Sequence, residues 1–150
     1  MGGLPQSFIR FIQLREGVRN QVYRDSRGFP TAGTGHLLSA AERARYPVGS
    51  TVPKAVLDGW FARDAQASYA AARSQAAQLG LAGNPRAVDI FGSMSYQLGN
   101  AWPSKFPGLF AQLRARNYAA AISNAQGTAW ARQTPVRVRD LTDFLRTLSR

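Results

Sequence analysis

Cysteine is absent and histidine occurs once, at position 36. The first absence excludes disulfides and thiolate chemistry, and suits synthesis in a reducing cytoplasm. The second leaves the lone imidazole without a His or Cys partner for a zinc-type site, so no metal and no cofactor is expected. Acid is scarce as well: 8 Asp and Glu stand against 19 Lys and Arg, for a formal net charge of +11. Apolar runs are short, and none approaches the roughly 20 residues needed to span a bilayer. The opening stretch MGGLPQSFIRF lacks a basic segment followed by an uninterrupted apolar one, so no secretory signal is read there.

The excess of positive charge calls for a polyanionic partner. Nucleic acid qualifies by charge, and so do anionic bacterial surfaces such as wall polymers, peptidoglycan carboxylates and lipid phosphates. No dense Lys/Arg run, zinc-finger spacing or basic region with heptads is present, which argues against nucleic acid. The 150 residues suffice for one globular unit with a real core, built from two lobes or one.

Apolar spacing in PQSFIRFIQLRE predicts a helix over 5–16, with Pro5 in its first turn and Gly17 as its stop. The period then changes: QVYRD and FPTAGT read as two short strands joined by the turn SRG. Residues 36–53 read as irregular, with one short strand near Val48 to Val52. The longest helical pattern runs from Pro53 to about Leu79 and is expected to join two lobes. Beyond it, helices are expected at about 86–98, 106–116, 118–124, 128–132 and 136–148, separated by GNAWP, Asn117 and QTP.

One stretch carries candidate chemistry. Glu16 ends the first helix, Asp25 follows the first strand, and Thr31 lies on the returning strand, facing Asp25 across the expected hairpin. Two carboxyls and a hydroxyl converging from three pieces of backbone suit glycosidic cleavage. One carboxylic acid delivers a proton to the leaving oxygen; the other, ionised, attacks the sugar or prepares water. A threonine hydroxyl both donates and accepts, so it can share that water. These residues alone leave retention and inversion both open. The competing structural reading is a helix-end charge, a turn-forming Asp and a β-branched strand residue.

The stretch EGVRNQVYRDSRGFPTAGTGHLLS resembles the signature of T-even-type phage lysozymes, the glycoside hydrolase family 24 endolysins. Their pattern, E-x8-D-x5-T followed by G-x-G-H, is met by Glu16, Asp25, Thr31, Gly33, Gly35 and His36. WFARDA at 60–65, MSYQLGN at 94–100 and WARQTPVRVRDL at 130–141 resemble later stretches of the family in the same order. The resemblance implies an α+β lysozyme-like fold within a single domain, 1–150. A small lobe with a hairpin, about 13–60, is joined by a long helix, about 53–79, to a helical lobe, about 80–150, on which the N-terminal helix packs.

It further implies a muramidase that cuts the β-1,4 bond between N-acetylmuramic acid and N-acetylglucosamine, by inversion. Glu16 would be the general acid, Asp25 would hold the water and Thr31 would help to position it. Gln97 falls at a cleft position that touches substrate, and Arg137 at an arginine near the catalytic glutamate. Asp64 falls where an acid faces His36, so an ion pair between them is expected to pin the hairpin region to the long helix. The implied partner is bacterial peptidoglycan, approached as a monomer through positive charge on an anionic wall or outer-membrane surface. Host-cell lysis is the implied role, after synthesis in the host cytoplasm and release through a holin-type pore. A toxin, an effector or a prophage remnant on the same domain would share these residues.

Other residues have plainer readings. Gly33 and Gly35 do not match a phosphate-binding loop; close backbone approach in the hairpin accounts for them better. Trp60 and Trp130 read as core. Trp102, in the Pro-rich stretch GNAWPSKFPG that departs from the family pattern, is a candidate for stacking on sugar. The arginines of VRVRDLTDFLRTLSR read as the solvated face of the last helix, with a cationic membrane-active patch as the alternative. Two rival functions remain: a wall-binding protein that kept the fold without catalysis, and a small basic nucleic-acid-binding protein.

Overall fold

Helix α1 (Gln6–Glu16) follows Pro5 and buries Phe8, Ile9 and Ile12. It stops at Gly17, whose φ of 71° is left-handed and whose N–H closes the last turn on the Gln13 carbonyl. The structure, a computed structural model, describes residues 3–149. They form two compact units divided between Ala67 and Ser68. No described helix is long and apolar enough to cross a membrane.

In the first unit a three-stranded antiparallel meander follows α1: β1 (Arg19–Arg24), β2 (Pro30–Gly33) and β3 (His36–Leu37). The third strand and the short helix α2 (Ala40–Arg45) both lie in a stretch expected to be irregular. A capping box explains α2. Ser39 Oγ accepts from the Glu42 N–H, and the Glu42 carboxylate accepts from the Ser39 N–H. The strand expected near Val48 to Val52 reduces to one bridge, Gln21 to Thr51, with flanking backbone bonds from Gly49 and Val52 to β1.

Val22, Ala32, Leu38 and Val52 pack with Leu57 and Trp60 into one core cluster, flanked by Tyr46 and Val56. Leu57 and Trp60 come from helix α3 (Lys54–Gln78), which runs through the boundary between the units.

The rest of the second unit is helical: α4 (Pro85–Leu98), α5 (Trp102–Lys105), α6 (Pro107–Arg114), α7 (Tyr118–Gln126), α8 (Ala129–Gln133) and α9 (Pro135–Leu148). Side-chain oxygens of Asn84, Asn117 and Thr128 cap α4, α7 and α8. Helix α9 packs on α4, α7 and α8. Its apolar stripe, Val138, Leu141, Phe144 and Leu145, is buried, so that face belongs to the core rather than to a membrane surface.

The one-turn helix α5 corrects the sequence reading of Trp102. That side chain is 0% exposed. Its indole N–H donates to Gln75 Oε1 at 2.9 Å, and its ring centroid lies 5.8 Å from Phe91 and 5.7 Å from Phe110. A fully enclosed ring has no face to offer a sugar; Trp102 is a core residue.

Candidate active site

The first unit holds Glu16, Asp25, Thr31, Gly33, Gly35, His36 and Asp64. The second holds Gln97 and Arg137.

Asp25 builds the hairpin turn. Its Oδ1 accepts from the N–H groups of Arg27 and Phe29, each at 2.9 Å. Its own N–H donates to the Phe29 carbonyl, and Gly28, at φ 86°, closes the loop on the Asp25 carbonyl. The turn-forming reading of Asp25 is therefore correct, and it is compatible with chemistry. Two backbone donors fix one carboxylate oxygen, while Oδ2 has Arg27 Nη2 3.7 Å away.

The expected pairing of Asp25 with Thr31 is corrected by the register. Thr31 lies opposite Tyr23, and Asp25 lies one step beyond the last pair, Arg24 with Pro30. Closing the turn uses Asp25 itself, which shifts the partner of Thr31 two residues back along β1. Thr31 is buried, and its hydroxyl donates to the Phe29 carbonyl at 2.9 Å. The Phe29 peptide thus ties Asp25 and Thr31 together, one through its N–H and the other through its carbonyl.

Glu16 is the last residue of α1, and its carboxyl rests against Gly35. A Cβ built on Gly35 would lie 3.1 Å from Glu16 Cδ and 3.2 Å from Oε2. Gly35 also has a φ of 63°, which L side chains rarely adopt. Gly33 shares that φ and meets Leu57 Cδ2 at 3.1 Å in the same sense. The two glycines therefore allow close approach, one to a carboxylate and one to α3.

Tyr23, which lies opposite Thr31 in the sheet, was missed by sequence reading. Burial pushes its phenol up and the Arg19 cation pulls it down, while Glu16 and Asp25 each add a further upward push. Both carboxylates therefore act on one hydroxyl. An open groove runs along β1, lined by Val18, Arg19, Asn20, Gln21, Val22 and Tyr23.

His36 forms the expected pair, with Nδ1 2.7 Å from Asp64 Oδ2. A second acid, unforeseen in the sequence, sits on its other nitrogen: Nε2 lies 2.9 Å from Glu42 Oε1. The ring also stacks on Trp60, centroids 4.5 Å apart. An imidazole bonded to carboxylates at both nitrogens needs both protons, so the charged form is favoured. Burial lowers the His36 pKa, but hydrogen bonds to Asp64 and Glu42 outweigh it and leave the value above 6.5. For Glu42, burial raises the value, but the Ser39 N–H and His36 outweigh it and hold the carboxyl below 4.5.

The signs define a window. The contribution of His36 is complete below its unfolded value and is lost as pH rises through the higher folded one. That of Glu42 is complete above its unfolded value and is lost as pH falls through the lower folded one. Asp64→Asn should therefore destabilise by about 1–2 kcal/mol near pH 5.5. Urea unfolding across pH should show the gap between variant and wild type shrinking as His36 deprotonates. A gap that stays constant with pH would remove the pin. No group of three His, Cys, Asp or Glu suited to a metal ion occurs among the described residues.

In the second unit, Gln97 is held at both ends of its amide. Oε1 accepts from Trp130 Nε1 at 2.9 Å and from Arg137 Nη1 at 3.4 Å; Nε2 donates to Thr134 Oγ1 at 3.0 Å. Arg137 is 7% exposed and also donates to Ser93 Oγ at 3.1 Å. Gln97 and Arg137 thus share one network, anchored by the buried Trp130.

Compared with known families, residues 13–143 match that described as phage lysozyme. The match starts within α1, before Glu16, and ends within α9, so it takes in every candidate residue named above. It makes lysozyme action on the bacterial cell wall the family's function and peptidoglycan its substrate. The chain belongs to the phage lysozyme family.

Proposed function

We propose that the protein is an endolysin that hydrolyses the β-1,4 bond between N-acetylmuramic acid and N-acetylglucosamine, with inversion, to lyse a bacterial host. Glu16 is the general acid, Asp25 holds the water, and Thr31 helps to position Asp25 and that water. The carrying observation is the match to the phage lysozyme family over residues 13–143, which takes in Glu16, Asp25 and Thr31. Asp25 is tied through Oδ1 by two backbone N–H groups, whereas Glu16 ends a helix against Gly35.

In this reading, protonated Glu16 gives its proton to the glycosidic oxygen as the C1–O bond breaks. Water held at Asp25 attacks C1 from the opposite face and passes a proton to Asp25. The products are a hemiacetal of inverted configuration and a free 4-hydroxyl; solvent returns the proton from Asp25 to Glu16. The rigid amide of Gln97 supports a substrate contact there, and the burial of Arg137 supports a role through its neighbours. The net charge of +11 favours approach to an anionic wall.

Purified peptidoglycan tests the proposal. Soluble muropeptides with new N-acetylmuramic acid reducing ends should appear, and the fresh anomer should be α when read before mutarotation. A β anomer would overturn inversion, and intact glycan strands after long incubation would overturn the enzyme.

A further inference from the structure

The Tyr23 hydroxyl has no role in the steps above, yet it occupies a telling position. Tyr23 lies opposite Thr31 in the sheet and two residues before Asp25 on the same chain. It lines the groove along β1 and is only half-buried. The Arg19 guanidinium sits 4.4 Å from its ring centroid, so one ring face is already covered by a cation. No hydrogen bond from the protein reaches its hydroxyl among the described residues. A half-buried phenol beside two carboxylates, held by its ring with the hydroxyl left over, is built to meet something from outside.

We propose that Tyr23 is a substrate-contacting residue whose hydroxyl donates a hydrogen bond to an acceptor oxygen of the sugar held between Glu16 and Asp25. The assignment rests on the glycosidase reading above. Donation is what a neutral phenol offers: burial disfavours the phenolate, outweighing the Arg19 cation with a smaller push from Glu16 and Asp25, so the hydroxyl keeps its proton. Stacking of the sugar on the Arg19 side of the ring is excluded because the guanidinium occupies it. The proposed contact is the directional, polar one made by the hydroxyl, and Arg19, covering one face, acts as a positioning residue for the ring.

Tyr23→Phe removes one oxygen and leaves the ring for Arg19 to cover, so the fold should survive. Its kcat/KM on purified peptidoglycan should fall about 3- to 10-fold, the range of one neutral hydrogen bond. The melting temperature should stay at the wild-type value. Binding supplies a readout that stability alone would not move. A peptide-free tetrasaccharide of alternating N-acetylglucosamine and N-acetylmuramic acid is titrated into Glu16→Gln and into Glu16→Gln/Tyr23→Phe. The double variant should bind more weakly by a similar factor. Equal affinity in the two proteins would overturn the contact, as would activity lost only in step with melting temperature. A wild type that releases no muropeptide would sink the glycosidase reading, and the affinity difference would still decide the role of Tyr23.

Discussion

Glu16→Gln should lower muropeptide release by about 100- to 10,000-fold, the usual span for removing a general acid. The substitution replaces one carboxyl oxygen by nitrogen and keeps the shape that rests on Gly35. The amide cannot protonate the leaving oxygen, so the C1–O bond must break toward an alkoxide. Thermal unfolding of the variant should stay close to wild type, which assigns the loss to chemistry. Asp25→Asn is the companion. Its side-chain oxygen can still accept from the Arg27 and Phe29 N–H groups and hold the turn, while the anion beside the water is gone. A Glu16→Gln protein retaining more than about a tenth of the wild-type rate would count against Glu16 as the acid. A wall-binding protein without catalysis would instead show no release from wild type and unchanged binding in the variant.

Trp102→Ala carries the largest expected effect on stability, about 3–5 kcal/mol. The ring is fully enclosed between Phe91 and Phe110, so truncation leaves a cavity in the second unit. Gln75 adds to the loss. Its Oε1 accepts from both Trp102 Nε1 and Ser95 Oγ, and its Nε2 donates to the Asn100 carbonyl. Without the indole, that buried acceptor loses one of its two donors. Urea denaturation should give a midpoint well below wild type, and the melting temperature should fall by roughly 10 °C for a chain of this size. Trp102→Phe should fall between, because it keeps most of the ring packing and loses the N–H. A melting temperature unchanged in Trp102→Ala would contradict the burial.

The same residue shows where sequence reading fails. Pro103 read as the end of the break GNAWP, yet it stands in the first turn of α5, where the missing N–H costs nothing; Pro107, inside the helix expected at 106–116, stands in the first turn of α6. Pro85 and Pro135 do the same for α4 and α9. Local patterns that close on themselves were legible: the apolar face of α1, the length of α3, and the break at Asn117 between helices. The motif residues were legible through their fixed spacing. Long-range relations were not. The register that sets Thr31 against Tyr23 depends on how Asp25 closes the turn. Glu42 was not singled out, because its partner His36 reaches it only after β3 and α2 form.

That partner is the only imidazole in the chain. Its ring protons therefore give a magnetic-resonance signal that no other histidine overlaps, shifted further by the stacked indole of Trp60. Following that one signal against acidity reports the joint state of β3, α2 and α3 in a single titration. The first unit thus carries a built-in reporter of its own integrity, readable without any label.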